Sequence, residues 1–375
     1  MNVDANVSSR INLMRILLIA GIVFVHIPFD PPRSPYLGTY GVVDWIRVYL
    51  GDSLFRIGVP CLSAISGYLL FRRGLSGFDY PKVMRSKAKT VLLPFLLWNL
   101  TFLLLVLIAQ KLGMGQGYLP DVAGATPREL ASHALALEAW PVNLPLYFLR
   151  DLLLCLVLSP LIGHLVMRYP LATLLLFLAY AILPVPNGIF LKKSILFGFS
   201  LGAYVALHRV DVKRLDAHAR PVILAVGLAS LLLAAGLYAT GPQYPQWIDV
   251  LRGLVAISGI FGAWALSSLL VRTRLGARLG TGSGLSFWIF CAHYPLLIAL
   301  WMIWNRAGTL PYPLFYFVAP VLTIAALVAS HAVMKQLAPG LLAVLTGNRV
   351  DSARNKPLGA IAGAGSSPEF SSQKR

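Results

Sequence analysis

Charge is what this chain has least of. Only 12% of its 375 residues are Asp, Glu, Lys or Arg, against about a quarter in an ordinary soluble domain. Acidic residues are the scarcer sign, 14 against 32 Lys and Arg, which leaves a formal net charge of +18. Nucleic acid is nonetheless excluded as a partner, because the basic residues lie in short loops between apolar stretches and build no basic soluble domain. There are three cysteines, Cys61, Cys155 and Cys291, each inside an apolar stretch. Their spacing supports neither a disulfide framework nor a metal site, and the thiols read as buried and inert. The chain also lacks a P-loop, a GxGxxG in a usable context, an internal repeat and a soluble catalytic domain. Any chemistry therefore happens among helices.

What is present is hydrophobic residue, 57% of the chain, with a mean hydropathy of +0.72. Apolar runs of about 20 residues recur along its length, which specifies an all-α polytopic membrane protein. No small-residue cleavage site follows the first run, so it reads as a span and not as a cleavable signal. Ten spans are expected, near 13–29, 51–71, 88–109, 146–167, 171–187, 189–208, 221–239, 250–270, 285–304 and 313–334. The fifth and sixth are short and meet at the ILPVPNG turn. With a cytoplasmic N-terminus, the inward segments carry 22 Lys and Arg and the outward ones nine. That asymmetry follows the positive-inside rule and puts both termini in the cytoplasm. The organisation expected is a short N-terminus at 1–12, a transmembrane domain at 13–334 and a cytoplasmic, largely disordered tail at 335–375.

The first span holds two costly side chains, Arg15 and His26. Ionisable groups inside a membrane mark function by default. Eleven residues separate them, about 20° from three full helical turns, so they share one stripe about 16 Å apart. They cannot touch, but both can line one cavity. A histidine takes and releases a proton near neutrality, and an arginine at the other end either snorkels to headgroups or holds an anionic ligand.

Further candidates lie along the chain. Ser66 and Tyr68, in the SGY of the second span, serve either tight helix packing or substrate contact. The run Lys82 to Lys89, with Arg85, Lys87 and Lys89, suits inner anchoring or the phosphates of a coenzyme. Arg150 and Asp151 can neutralise each other inside the fourth span and stand as candidate supporting or substrate-contacting residues. His293, beside a proline in the ninth, is a buried structural histidine or a substrate contact. The long outward loops near 30–50 and 110–145 are rich in Pro, Gly, Tyr and Trp. Their rings either anchor at the interface or stack on a carbohydrate face.

Taken in order, these residues resemble the membrane-bound acyltransferase family 3. The likeness covers about residues 10–334. It rests on Arg15 and His26, on SGYL at 66–69, and on the basic cluster before Leu93-Pro94-Phe95 and Trp98. It continues through LRDL at 149–152, LSP at 158–160, and Ser286-Phe287 to His293-Tyr294-Pro295-Leu296. The basic cluster departs from the family's paired arginines, since lysine supplies charge without a bidentate fork. The resemblance implies transfer of an acyl group, commonly acetyl from acetyl-CoA as co-substrate, to a sugar hydroxyl of a lipid-linked oligosaccharide or polysaccharide acceptor. Short members without an appended domain are similar to bacterial exopolysaccharide O-acetyltransferases, and the N-terminal third looks most like the enzymes of xanthan-type gum synthesis. It further implies His26 as general base, Arg15, Arg85, Lys87 and Lys89 around the coenzyme phosphates, and a place in the bacterial inner membrane among lipids and polysaccharide assembly machinery. Three other readings stand beside it: a succinyl or other short-acyl transferase of the same family, a transporter or flippase of envelope precursors, and a glycosyltransferase using Asp30 or Asp44.

Overall fold

The computed structural model describes residues 5–279, 284–308 and 310–348. They form an all-helical bundle. α1 is Ala5–Val25. A proline-rich segment then leads to α2, Val42–Arg47, which runs on through wide and tight turns into α3, Gly58–Phe71. α4 (Tyr80–Lys87) likewise continues into α5 (Leu93–Lys111), and an outer loop carries α6 (Pro127–Leu135). α7 (Tyr147–Val157), α8 (Ser159–Arg168), α9 (Pro170–Ile182) and α10 (Ser194–Leu207) are all short. α11 (Ala219–Thr240), α12 (Gln246–Leu270), a small α13 (Arg274–Leu279), α14 (Gly284–Ala307), α15 (Tyr312–Leu337) and α16 (Pro339–Leu345) complete the chain.

Seven of the described helical runs are long and apolar enough to cross a membrane, eight if the bent α7–α8 pair counts as one. The difference from the ten expected arises between 146 and 208. There α7 and α8 meet at 64°. Pro160 has no N–H to offer the Leu156 carbonyl, and the Ser159 hydroxyl takes that carbonyl instead, at 2.6 Å. The LSP sequence is a helix break with its own hydrogen-bond repair. α9 has 13 residues and α10 has 14, each about 20 Å long, short of the ~30 Å hydrocarbon core. Proline and asparagine at 184–187 end α9 where the sequence places a turn.

α10 does not face lipid. Nearly every residue from Ser194 to Ala203 is buried, and it lies backbone to backbone against α3. A Cβ at Gly202 would stand 1.9 Å from the Ala64 carbonyl oxygen, one at Gly67 2.0 Å from that of Phe199, and one at Gly198 2.4 Å from that of Pro60. Three glycines, two on α10 and one on α3, thus let the helices touch, the small-residue mode of membrane packing. Ser66 bonds back to the Leu62 carbonyl at 2.9 Å within its own helix.

α1 packs against α3, α12 and α14. Its first turns are locked by Arg10, which is 1% exposed. The guanidinium grips both Asp216 oxygens at 2.8 and 2.9 Å, donates to Ser267 Oγ and the Trp264 carbonyl, and lies 3.7 Å over the Trp264 ring. On the segment before α3, Asp44 is buried against Arg47 at 2.6 Å and also accepts the Tyr40 N–H. All three cysteines are buried thiols. Of the tail expected at 335–375, residues to 348 are described: α16 packs on α5, and the Trp98 indole donates to the Leu345 carbonyl at 3.1 Å. Residues 349–375 lie outside the described part.

Candidate active site

α14 contains Pro295, whose missing N–H leaves the Cys291 carbonyl without its helical partner. Asn143, wholly buried at the end of the long outer loop, fills that gap with its Nδ2 at 2.9 Å. Its own backbone N–H goes to Asn99 Oδ1, and Asn99 Nδ2 holds the carbonyls of His133 and Ala134. The loop, α5 and α14 are thereby tied together just where α14 presents His293.

His293 is fully buried. Its Nδ1 faces the carbonyls of Ile289 at 3.0 Å and Phe290 at 2.9 Å. A nitrogen whose neighbours are carbonyl oxygens carries the proton. Nε2 is then an acceptor, and it stands 3.3 Å from Nδ1 of His26. That Nδ1 also lies 2.9 Å from the Ile22 carbonyl, so it too is the protonated nitrogen, shared between two acceptors. The lone pair of His26 is left on Nε2. The sequence proposed these two histidines separately, as general base and as supporting contact, and the bundle brings them together with their tautomers fixed by backbone carbonyls.

His26, one residue beyond α1, lines a cavity of about 630 Å³. Its walls are apolar near the histidine, with Ile22, Val59, Phe148 and Phe290. Elsewhere they carry Trp140 and Tyr147, edge to face with centroids 4.9 Å apart. The remaining wall is charged: Arg56, Lys192, Lys193, Arg252 and Asp249. Asp52 joins two of these arginines, 2.9 Å from Arg56 and 2.7 Å from Arg252. The Lys192 side chain keeps solvent exposure at the cavity wall, and its ammonium is pushed down to about 8, first by the protein crowded around it and then by the Arg56 and Arg252 guanidinium groups.

Asp151 explains how Lys192 comes to stand there. Its carboxylate, fully buried, accepts the backbone N–H groups of Leu191 at 3.2 Å and Lys192 at 2.7 Å, and Arg150 at 2.8 Å. Arg150 spends its other donors on the carbonyls of Ala136 and Ile189. The pair expected to neutralise itself does so, and it also shapes the turn between α9 and α10. Neither Arg150 nor Asp151 lines the cavity. Nor does Ser66, and Tyr68 lines a separate apolar groove. Arg15 lies along α1 outside the cavity lining, and Arg85 and Lys89 are exposed on the α4 side, with Lys87 half-buried.

Sequence reasoning missed Arg56, Lys192 and Arg252, which entered only as charges on the outward side. Their signal was there. Cations that stand against the positive-inside bias need a reason of their own, and Asp52 and Arg56 sit one helical turn apart.

A family model described as an acyltransferase domain matches residues 8–331. The chain is 63% identical, over 363 residues, to the succinoglycan biosynthesis protein ExoH of Rhizobium meliloti (strain 1021), an alignment that covers 96% of this chain and 98% of that relative. No solved structure matches.

Proposed function

The chain belongs to the acyltransferase domain family, a multi-pass inner-membrane acyltransferase of exopolysaccharide biosynthesis, and from that premise we propose that it moves a short acyl group from an acyl-coenzyme A to a sugar hydroxyl of a lipid-linked or nascent polysaccharide. His26 is the general base. Its Nε2 takes the proton of the sugar hydroxyl as the oxygen attacks the thioester carbonyl. The tetrahedral intermediate collapses, the carbon–sulfur bond breaks, and the imidazolium returns the proton to the leaving thiolate. The products are a sugar ester and free coenzyme A. The observation that carries this reading is the free Nε2 lone pair at the wall of a 630 Å³ cavity.

The coenzyme phosphates are assigned to Arg15 with Arg85, Lys87 and Lys89, as the family pattern implies. The pantetheine arm covers the ~16 Å of α1 between Arg15 and His26. Trp140 and Tyr147 suit the apolar face of a sugar ring in the same cavity.

Between acetyl and a dicarboxylic acyl group such as succinyl, the cavity favours the second. Arg56 and Arg252, which Asp52 already joins, and Lys192 beside them offer a free carboxylate charge-assisted hydrogen bonds, which the methyl group of an acetyl donor cannot accept. The relative's printed role in succinoglycan biosynthesis agrees with this choice. The test uses membranes with matched expression of wild type and His26→Ala, supplied with labelled succinyl-CoA or acetyl-CoA and a lipid-linked oligosaccharide. Label is expected on the oligosaccharide with wild type, more from succinyl-CoA, and to fall ~10²–10⁴-fold with the variant. Equal labelling by His26→Ala overturns the base assignment, and a preference for acetyl-CoA overturns the acyl assignment. A transporter would move the oligosaccharide and attach no label at all.

A further inference from the structure

At the end of α1 remote from His26 lies a second hollow of about 230 Å³, bounded by α1, α3, α10 and α12. Its lining is almost wholly apolar, including Ile11, Ile65, Val205 and Phe261. Phe261 is 46% exposed although it lines the hollow, so the groove opens sideways on the surface that a bilayer would cover. One end is closed by the segment 210–216. There Val210 and Leu215 line the groove, and the Val212 carbonyl accepts the Trp264 indole N–H at 2.9 Å. Arg209 and Arg214 flank these lining residues and are exposed. The acids nearby do not cancel them. Asp216 is engaged by Arg10, and Asp211, itself at the groove wall, accepts the Lys213 backbone N–H at 3.0 Å and meets Arg214 only at 3.9 Å with both side chains largely exposed.

We propose that this groove is a binding site for one acyl chain of an anionic phospholipid, its headgroup phosphate held by Arg209 and Arg214. An apolar trough alone would take any lipid chain. Cationic side chains at its closed end add selection for a negative headgroup. The site is independent of the acyl-transfer reading, because it shares no lining residue with the cavity at His26.

The experiment uses the full chain in nanodiscs. Phosphatidylglycerol with a photoactivatable group on one acyl chain is crosslinked and the adducts mapped by peptide mass spectrometry, with unlabelled phosphatidylglycerol or phosphatidylcholine as competitor. Adducts are expected on Val205, Leu215 or Phe261, and phosphatidylglycerol is expected to compete better than phosphatidylcholine, on the order of fivefold per arginine engaged. The surface variant R209Q/R214Q should lose the headgroup preference while keeping the chain adducts. Val205→Trp, which fills the groove, should lose the adducts. Equal competition by the two lipids, an unchanged preference in R209Q/R214Q, or adducts confined to other faces would each overturn the proposal. So would a groove covered by a second copy of the chain, seen as protein–protein adducts in place of lipid ones.

Discussion

A neutral histidine has one lone pair, and where it points is decided by what the other nitrogen bonds. His293 supplies that decision for His26 together with Ile22, and it touches no substrate in this arrangement. It is a positioning residue. His293→Leu removes the acceptor for His26 Nδ1–H, and kcat is expected to fall with little change in KM. His293→Gln keeps an acceptor oxygen in reach and should recover part of the rate. A purely structural role would instead move melting temperature and expression, with kcat per folded enzyme unchanged. The pH profile of the two variants adds a second reading, because loss of the His–His contact also alters how easily His26 takes a proton.

Lys192 makes a prediction with a sign. Its ammonium is charged below about 8 and loses its proton as pH rises through that value. Affinity for a carboxylate-bearing acyl donor is therefore full below about pH 8 and declines above it. KM for succinyl-CoA is expected to rise by roughly tenfold across this range, the worth of one charge-assisted contact of about 1.5 kcal/mol. KM for acetyl-CoA should stay flat. Lys192→Arg keeps its charge at all accessible pH and should abolish the rise. A KM that climbs equally for both donors would refute the assignment.

Among the elements, α10 is the one that sequence patterning reads least well. It is apolar all round and too short to span, which fits either a tilted membrane helix or a helix buried in protein. Backbone contact with α3 decides the matter, and that contact depends on the absence of three side chains. Gly202→Ala places a Cβ 1.9 Å from a carbonyl oxygen, so the helices must part. Folded protein is expected to be lost, read as aggregation on gel filtration in detergent. Gly227→Ala on α11 is the matched control, since nothing stands within 4 Å of a Cβ there. Similar yields from the two variants would show that the close approach is not required. The same logic applies to Pro160 and Pro295. Each breaks a helical hydrogen bond, and each freed carbonyl finds a side chain, Ser159 or Asn143, that the sequence carries nearby or far off in the chain.

For the whole molecule, Arg10 joins the start of α1 to the 212–218 segment and α12. Removing a partner from a buried ion pair costs about 3–5 kcal/mol. Asp216 keeps 25% exposure, so Arg10→Ala is expected to cost about 2–3 kcal/mol, measured as a lowered melting temperature in detergent. Arg10→Lys should recover less than half, because one ammonium cannot hold both carboxylate oxygens, a serine hydroxyl and an aromatic face together. An unchanged melting temperature for Arg10→Ala would remove the lock from the account. Such a lock matters for the proposed activity because α1 carries Arg15 and leads directly into His26.

Composition and apolar run length were enough to determine that this chain is an all-helical, multi-pass membrane protein, since a bilayer leaves backbone polar groups few alternatives. The cost of ionisable groups in that setting also marked His26 and His293 as residues to watch. What the sequence could not determine is anything that depends on distances between helices. It counted ten spans because hydropathy does not measure helix length, and α9 and α10 are apolar but only 13 and 14 residues long. It counted Arg56, Lys192 and Arg252 only among the outward-side charges because they lie far apart in the chain, and the packing of α3, α10 and α12 gathers them around one cavity. The two histidines are 267 residues apart. Their 3.3 Å contact, and with it the nitrogen that carries the free lone pair, was decided by tertiary structure alone, because a tautomer is fixed by neighbours and not by composition.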